Sequence, residues 1–303
     1  MVELELFLQG GLGNQLIQGA FGSGLVAGSE ATLSINTVLL RPHISWLRRV
    51  TYRDLYPFFR SEQYQQLKNN SCRLISSHRG LVKGIRSHQR ITDQQSDRDI
   101  IDRVDCLRST GYIPMLGYFH RASAFCHQTD HFWSAVANWL ETKYALTMKP
   151  MCRVATHIRL GDYTTASNKQ IYAGAAISAQ IETALRWRDE LGGTEAIDIF
   201  TDDPEMLSGS LPRDLRPQCQ IRTNCSELLD FADLCSYQSI VACNSTFSLT
   251  AAKIASVLSE NPTTLKLPHR WFNNEQRNQI QCMEWTRLSF LHGFWGGPPG
   301  SFK

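Results

Sequence analysis

Apolar and acidic positions alternate over residues 2–8, where Glu3 and Glu5 sit between Val2, Leu4 and Leu6 before the run closes on Phe7 and Leu8. That period of two predicts a strand. The pattern breaks at Gly10-Gly11-Leu12-Gly13, and Asn14-Gln15-Leu16-Ile17-Gln18-Gly19-Ala20-Phe21 reads as the start of a helix. Residues 30–150 carry weaker patterning. Phe132, Val136 and Leu140 mark one amphipathic helix there, and Met148-Lys149-Pro150 breaks it. From Arg153 onward the pattern becomes regular. Short stretches at 154–158, 196–200, 220–222, 239–243 and 263–267 read as strands, and stretches at 175–191, from Pro204, 226–237 and 246–258 read as helices. A polar loop is expected at 164–170, and Gly192-Gly193 closes the helix before it reaches the next strand. Such alternation implies a parallel sheet with helices on both faces. The boundaries that follow are an N-terminal α/β domain over 1–149, a second α/β domain over 150–270, and a tail over 271–303. The tail is rich in aromatics (Trp271, Phe272, Trp285, Phe290, Phe294, Trp295) and ends in the loop Gly296-Gly297-Pro298-Pro299-Gly300. It is expected to pack back on the body, bracing the domains.

The chemistry collects where the predicted strands end. His157-Ile158-Arg159-Leu160-Gly161-Asp162-Tyr163 follows one strand, Asp202-Asp203 another, and Asn244-Ser245-Thr246-Phe247-Ser248 a third. In open α/β sheets, ligands bind outside the carboxyl ends of strands. An Arg placed there grips a diphosphate through two parallel N–H bonds, which a Lys cannot do. The plainer alternative is a surface ion pair between Arg159 and Asp162, worth little. Ser245 and Thr246 open a helix, so they serve either as a phosphate cradle or as an ordinary cap. Asp202 or Asp203 is suited to accept the N–H donors of a guanine edge, and Asp203 before Pro204 is equally suited to cap a helix. The N-terminal glycine loop has converging backbone N–H groups and is anion-friendly. It lacks the third glycine of the dinucleotide fingerprint, which argues against an NAD enzyme. Asn14 is a helix-cap residue type as well as a polar candidate for the site.

Taken in this order along the chain, the glycine loop and the three strand-end stretches resemble the α-1,2-fucosyltransferases, glycosyltransferase family 11, in their bacterial form. The protein O-fucosyltransferases are similar more distantly. The likeness runs from about Leu8 to about Phe272 and is weak between residues 30 and 150. It implies an α/β, GT-B-like fold: two facing Rossmann-like domains with the active site in the cleft. It also implies inverting transfer of L-fucose from GDP-β-L-fucose to the 2-hydroxyl of a terminal β-galactoside, without metal or other cofactor. By the same resemblance Arg159 stabilises the departing GDP, His157 and Asp162 orient it, and Asn14 lies near the reacting centre. The donor-binding set carried over is Gly11, Leu12, Gly13, Asn14, His157, Arg159, Asp202, Asp203, Asn244, Ser245, Thr246 and Phe247. A general base is not identified: His157 has a suitable intrinsic pKa, and Asp162 stays open. Two positions depart from the family pattern. Leu160 stands where a second Arg is usual, and Leu249-Thr250 stand where aromatics are usual. A fucosyltransferase of other linkage (1,6 or to protein) and a non-catalytic nucleotide-sugar or glycan-binding module are the alternatives, separable by acceptor profiling and by GDP release.

Composition narrows the partners. The 303 residues are 42% hydrophobic and 19% charged with a net charge of +3, enough for two ordinary domains and too mild to demand nucleic acid. The basic run Arg79, Lys83, Arg86, Arg90 is followed by Asp93, Asp97, Asp99, Asp102 and Asp105, so the two neutralise one another. No apolar run reaches membrane-spanning length, and the acidic N-terminus is no signal peptide. Nine cysteines without a C-x-x-C pair fit reduced thiols in a cytoplasm. His127 and His131 would share a helix face at i, i+4, but no further ligand is patterned for a metal. Trp46, Tyr52 and Trp133 are candidate stacking surfaces for an acceptor sugar. The oligomeric state is not legible.

Overall fold

A computed structural model describes residues 2–27, 31–40, 56–59, 61, 72–75, 90–93, 95–106, 112–161, 165–172, 177–223, 226–259, 261 and 263–296. The chain divides into two compact units, Met1–Trp139 and Leu140–Lys303. The sequence reading places the division later, at Lys149-Pro150.

In the N-terminal unit the elements run β1 (Glu3–Phe7), α1 (Leu12–Val26), β2 (Thr32–Asn36), α2 (Tyr56–Phe59), β3 (Cys72–Ile75), α3 (Asp97–Cys106) and β4 (Tyr112–Met115). Helix α4 (Asp130–Tyr144) follows, and the division falls inside it. The four strands are parallel in the order β3-β2-β1-β4. The acidic alternation in β1 has a different meaning from the half-solvated strand it suggests. Glu5 is 3% exposed. Its neighbours in the sheet satisfy it: Asn36 Nδ2 on β2 donates to Oε1 at 2.7 Å, and the Tyr112 hydroxyl on β4 donates to Oε2. Burial and the adjacent Glu5 carboxylate raise the Tyr112 pKa, so the phenol stays a donor. A buried carboxylate persists only with such partners.

The core of this unit is apolar strand residues plus an aromatic cluster. Phe58 touches the rings of Phe59, Phe132 and Trp139, and Phe21 stacks on Phe119 at 4.8 Å. Such pairs contribute roughly 0.5–1.5 kcal/mol each beyond the area they bury. Helix α4 buries Phe132, Val136 and Leu140 as its periodicity predicts. Trp133 is fully buried, with Nε1 donating to the Ala124 carbonyl at 2.8 Å, so it offers no face to a sugar. Trp46 and Tyr52 lie outside the described residues. His127 sits in a 3-10 turn before α4, paired with Asp130, so it does not share a helix with His131.

The C-terminal unit holds β5 (Val154–Ile158), α5 (Ala166–Ile171), α6 (Ile177–Glu190), β6 (Ile197–Thr201), α7 (Pro204–Ser210), β7 (Cys219–Arg222), α8 (Glu227–Leu234), β8 (Ser239–Ala242), α9 (Thr246–Leu258), β9 (Thr264–Pro268), α10 (Glu275–Trp285) and β10 (Leu291–Trp295). Its six strands are all parallel in the order β10-β9-β8-β5-β6-β7. This is the doubly wound order, in which chain direction across the sheet reverses between β5 and β8. The expected α/β class with two parallel, Rossmann-like sheets is therefore what the protein has. β5 is fully buried on both faces, as a central parallel strand must be. Val154, Ile158, Ile181, Ala184, Trp187, Ile199 and Val241 form one cluster around it. Burying each large aliphatic side chain contributes about 1.5–3 kcal/mol. Gln180 on α6 ties that helix to β5, its Nε2 donating to Thr156 Oγ1 and to the His157 carbonyl, both at 2.8 Å.

Two elements differ from expectation. The polar stretch read as a loop at 164–170 contains α5, started by Thr165, whose hydroxyl accepts from the Asn168 N–H. The tail also supplies a strand, because β10 pairs with β9 and Trp295 Nε1 donates to the Ala242 carbonyl at 2.8 Å. An edge strand has one neighbour and a mixed burial pattern, so no period of two marks it.

Candidate functional site

The reversal between β5 and β8 brings the ends of those strands together, and β6 lies beside β5. Arg159 leaves the end of β5 with its side chain 20% exposed. Asp202, just past β6, holds it. One carboxylate oxygen, Oδ2, is 3.2 Å from Arg159 Nε, and the other accepts the Leu160 N–H at 2.8 Å. A single carboxylate thus fixes both the guanidinium and the backbone that carries it. Gly161 is part of this arrangement, since a Cβ there would lie 2.5 Å from Asp202 Oδ2. Among the described residues Arg159 pairs with Asp202, 43 positions on. Asp162 lies outside the described residues.

His157 lies close to Arg159, buried among neutral side chains. His157 is 3% exposed, 4.9 Å from the Phe247 ring, with Nδ1 3.3 Å from Ser248 Oγ. Burial, and secondarily the positive Arg159, push its pKa down to about 3. Cys243 Sγ lies 3.5 Å from His157 Nδ1, and burial pushes that thiol up to about 12. Both groups are neutral at ordinary pH. A histidine held in this way is too weak and too enclosed to take a proton from a substrate, so the base role left open for His157 is not supported. Its place is under Arg159, where a neutral ring avoids repelling the cation.

The Asn244–Ser248 stretch starts α9 at the same reversal. Ser245 is the cap, its hydroxyl accepting the Phe247 N–H at 3.3 Å. Thr246 is half-buried at the first helical position. Asn244 and Phe247 are buried. Asn244 Nδ2 donates to the Trp271 carbonyl at 3.0 Å, and Phe247 packs edge-on against Phe231. These two hold the loop, while Ser245, Thr246 and the first N–H groups of α9 are the ones with anion-binding geometry. The departures from the family pattern are absorbed by packing. Leu160 belongs to the apolar cluster around β5, and Leu249 and Thr250 are fully buried. Asp203 caps α7, its Oδ1 accepting the Met206 N–H at 2.9 Å with Pro204 in the first turn.

The glycine loop of the N-terminal unit lies at the end of β1. Gly10 adopts φ +77°, which L side chains rarely take, and Gly11 takes the cap position of α1. Leu12 and Gly13 are buried in the first turn. Asn14 is inside the helix and so is not its cap. Its Oδ1 lies 2.8 Å from Nε2 of His120, which follows the adjacent strand β4. His120 was not singled out from the sequence. It is a single His in an irregular segment, and 106 positions separate it from Asn14.

Among the described residues no helix is long and apolar enough to cross a membrane. No curated protein matches the chain. Solved structures similar to it include POFUT1 in complex with GDP, at 10% identity and TM-score 0.45, covering 88% of this chain and 98% of that one. The Bradyrhizobium NodZ α-1,6-fucosyltransferase soaked with GDP-fucose is 15% identical, TM-score 0.45, covering 84% and 92%. The E. coli ADP-heptose LPS heptosyltransferase II is 10% identical, TM-score 0.38, covering 88% and 84%. The family profile described as glycosyl transferase family 11 matches residues 98–289, a span that takes in Arg159, Asp202 and the whole Asn244–Ser248 turn. That is more than half of the sequence, and the chain belongs to glycosyl transferase family 11.

Proposed function

We propose that this glycosyltransferase moves L-fucose from GDP-β-L-fucose to the 2-hydroxyl of a terminal β-galactoside, with inversion and without a metal. The observation that carries the reading is Arg159, held by Asp202 at the reversal point of the C-terminal sheet beside the start of α9. As the bond from fucose C1 to the phosphate oxygen breaks, negative charge gathers on the β-phosphate. A preorganised cation and helix N–H groups aimed at that charge lower the barrier most. Arg159 and the Ser245-Thr246 turn supply both. Asp202 has each oxygen committed to Arg159 and Leu160. The guanine edge is therefore assigned to Asp203, whose Oδ1 caps α7 and whose Oδ2 remains to accept from the base.

The test is GDP release from GDP-fucose with lactose, in excess chelator, for the wild type and Arg159→Ala. Release that depends on lactose and falls about 1,000-fold in the variant supports the reading, as expected for removal of a transition-state donor. Wild-type release only after added metal removes the metal-independent mechanism. GDP binding without release would favour a binding module, and linkage analysis of the product separates the 2-hydroxyl from other positions.

A further inference from the structure

The tail leaves the C-terminal sheet at Pro268 and turns through His269-Arg270-Trp271-Phe272-Asn273 before α10. β9 runs parallel to β8, so this turn lies at the strand edge that carries Asn244 and Ser245. Its backbone is pinned on both sides of Arg270. The His269 N–H donates to the Trp295 carbonyl at 2.8 Å, and the His269 carbonyl accepts from Asn278 Nδ2 at 3.1 Å. The Trp271 N–H donates to Asn278 Oδ1 at 2.6 Å, and the Trp271 carbonyl accepts from Asn244 Nδ2 at 3.0 Å. Asn278 lies on α10 and is 3% exposed, a buried amide whose groups are spent on this turn. Asn273 extends the hold to α5, its Nδ2 donating to the Lys169 and Tyr172 carbonyls at 2.8 and 3.0 Å. A single hydrogen bond therefore joins the residue before Ser245 to the residue after Arg270. Arg270 itself is exposed and makes no ion pair among the described residues.

Charge explains why an arginine in that place matters. A sugar diphosphate carries a negative charge on each phosphate. Arg159 offers donors, but its contact with Asp202 makes the pair neutral as a whole. The N-terminus of α9 adds roughly half an elementary charge. Arg222, closing β7, is committed to Asp233 at 3.1 Å. The edge at β8 and β9 is thus short of positive charge without Arg270. We propose that Arg270 is a second diphosphate-binding cation of the donor site, presented by the tail turn that Asn278 and Asn244 hold in place. The inference rests on the proposed GDP-sugar reading and deepens it. Fixing the backbone on either side of a long side chain lowers the entropy lost when it grips a phosphate. A guanidinium suits phosphate oxygens through its planar fork. The tail then belongs to the donor site as well as to the packing of its unit.

The experiment measures binding of GDP and of guanosine by calorimetry over a range of salt concentrations, for wild type, Arg270→Gln, Arg270→Lys and Lys169→Gln. Arg270→Gln is expected to bind GDP about tenfold more weakly, the scale of one lost hydrogen bond to a charged group, and to bind guanosine as wild type does. Its GDP affinity should also depend less steeply on salt. Arg270→Lys should recover part of the loss. Lys169→Gln, which removes a charge from the adjoining α5, should bind GDP normally. Unchanged GDP affinity and salt dependence in Arg270→Gln would overturn the assignment. Equal loss of GDP and guanosine would overturn it too, showing that the substitution disturbs the turn. So would a loss in Lys169→Gln as large as in Arg270→Gln, since bulk charge would then account for both. A wild type that fails to bind GDP removes the donor reading itself. A wild type that binds GDP and transfers fucose, beside an indifferent Arg270→Gln, removes this inference alone.

Discussion

The two parallel sheets reverse direction in the same manner, yet the groups gathered at the two reversals differ in kind. At the β5/β8 reversal the leading groups are charged: Arg159 and Asp202 in contact, above a buried neutral His157 and an α-helix N-terminus. At the β1/β4 reversal they are Asn14, His120 and Tyr118, with Asp93 turned toward backbone N–H groups. Topology makes a place for a ligand in each sheet, and side chains decide which ligand suits it. The charged set suits a diphosphate whose charge grows during reaction. The difference also shows in what protects each set. Asp202 holds Arg159 directly, whereas His120 depends on a strained loop secured by Asp93 and an aromatic stack.

The contrast can be broken most severely at Arg159. Arg159→Ala should reduce transfer about 1,000-fold and weaken GDP binding, measured by GDP release and calorimetry. Arg159→Lys should recover little, because an ammonium cannot make the two parallel bonds. A lysine variant near wild-type rate would mean that bulk positive charge suffices and that the Asp202 contact is incidental.

Next in size is the support of that arginine. Asp202→Asn removes the ionic hold while keeping the shape, and a small misplacement of a catalytic group costs on the order of 100-fold. Gly161→Ala pushes on the same oxygen and should give a similar loss in kcat. If both act through Arg159, the double variant should be little worse than either single one. Additive losses in kinetic assays would show that they act separately.

A smaller effect is expected at Asp203. Asn is as good a helix cap as Asp, so Asp203→Asn should leave the melting temperature unchanged. It would replace one acceptor oxygen by a donor against the guanine edge, and GDP affinity should fall about tenfold or more, the scale of a lost paired contact. Unchanged affinity would leave Asp203 as a cap alone.

The smallest effect concerns the neutral floor of the charged site and appears only in acid. Folded His157 stays neutral down to about pH 3, while in the unfolded chain it takes a proton near its ordinary value of 6.5. Between those values the unfolded state binds more protons, so stability is complete above 6.5 and declines as pH falls toward 3. In His157→Gln, urea titrations across that window should show a shallower decline. An equal slope in both proteins would mean that other groups carry the acid sensitivity.

Much of the C-terminal unit was legible because its signals are local. A central parallel strand such as β5 is a short apolar run, Pro204 after Asp203 marks a helix start, and Ser245 before α9 marks another. The strand ends bearing Arg159, Asp202 and Asn244–Ser248 therefore followed from periodicity, and the family from the motifs they carry. Other features were invisible because they depend on which distant segments meet. The contact of Asp202 with Arg159, the burial that keeps His157 neutral, the pairing of β10 with β9 and the bond between Asn14 and His120 all join residues with no local spacing rule. The sequence by itself determined the order of elements and the residue types at the strand ends, since both are set by nearest-neighbour backbone preferences. Only the tertiary structure decided which charges are paired and which histidine is enclosed, because burial and partnership are properties of the packed chain.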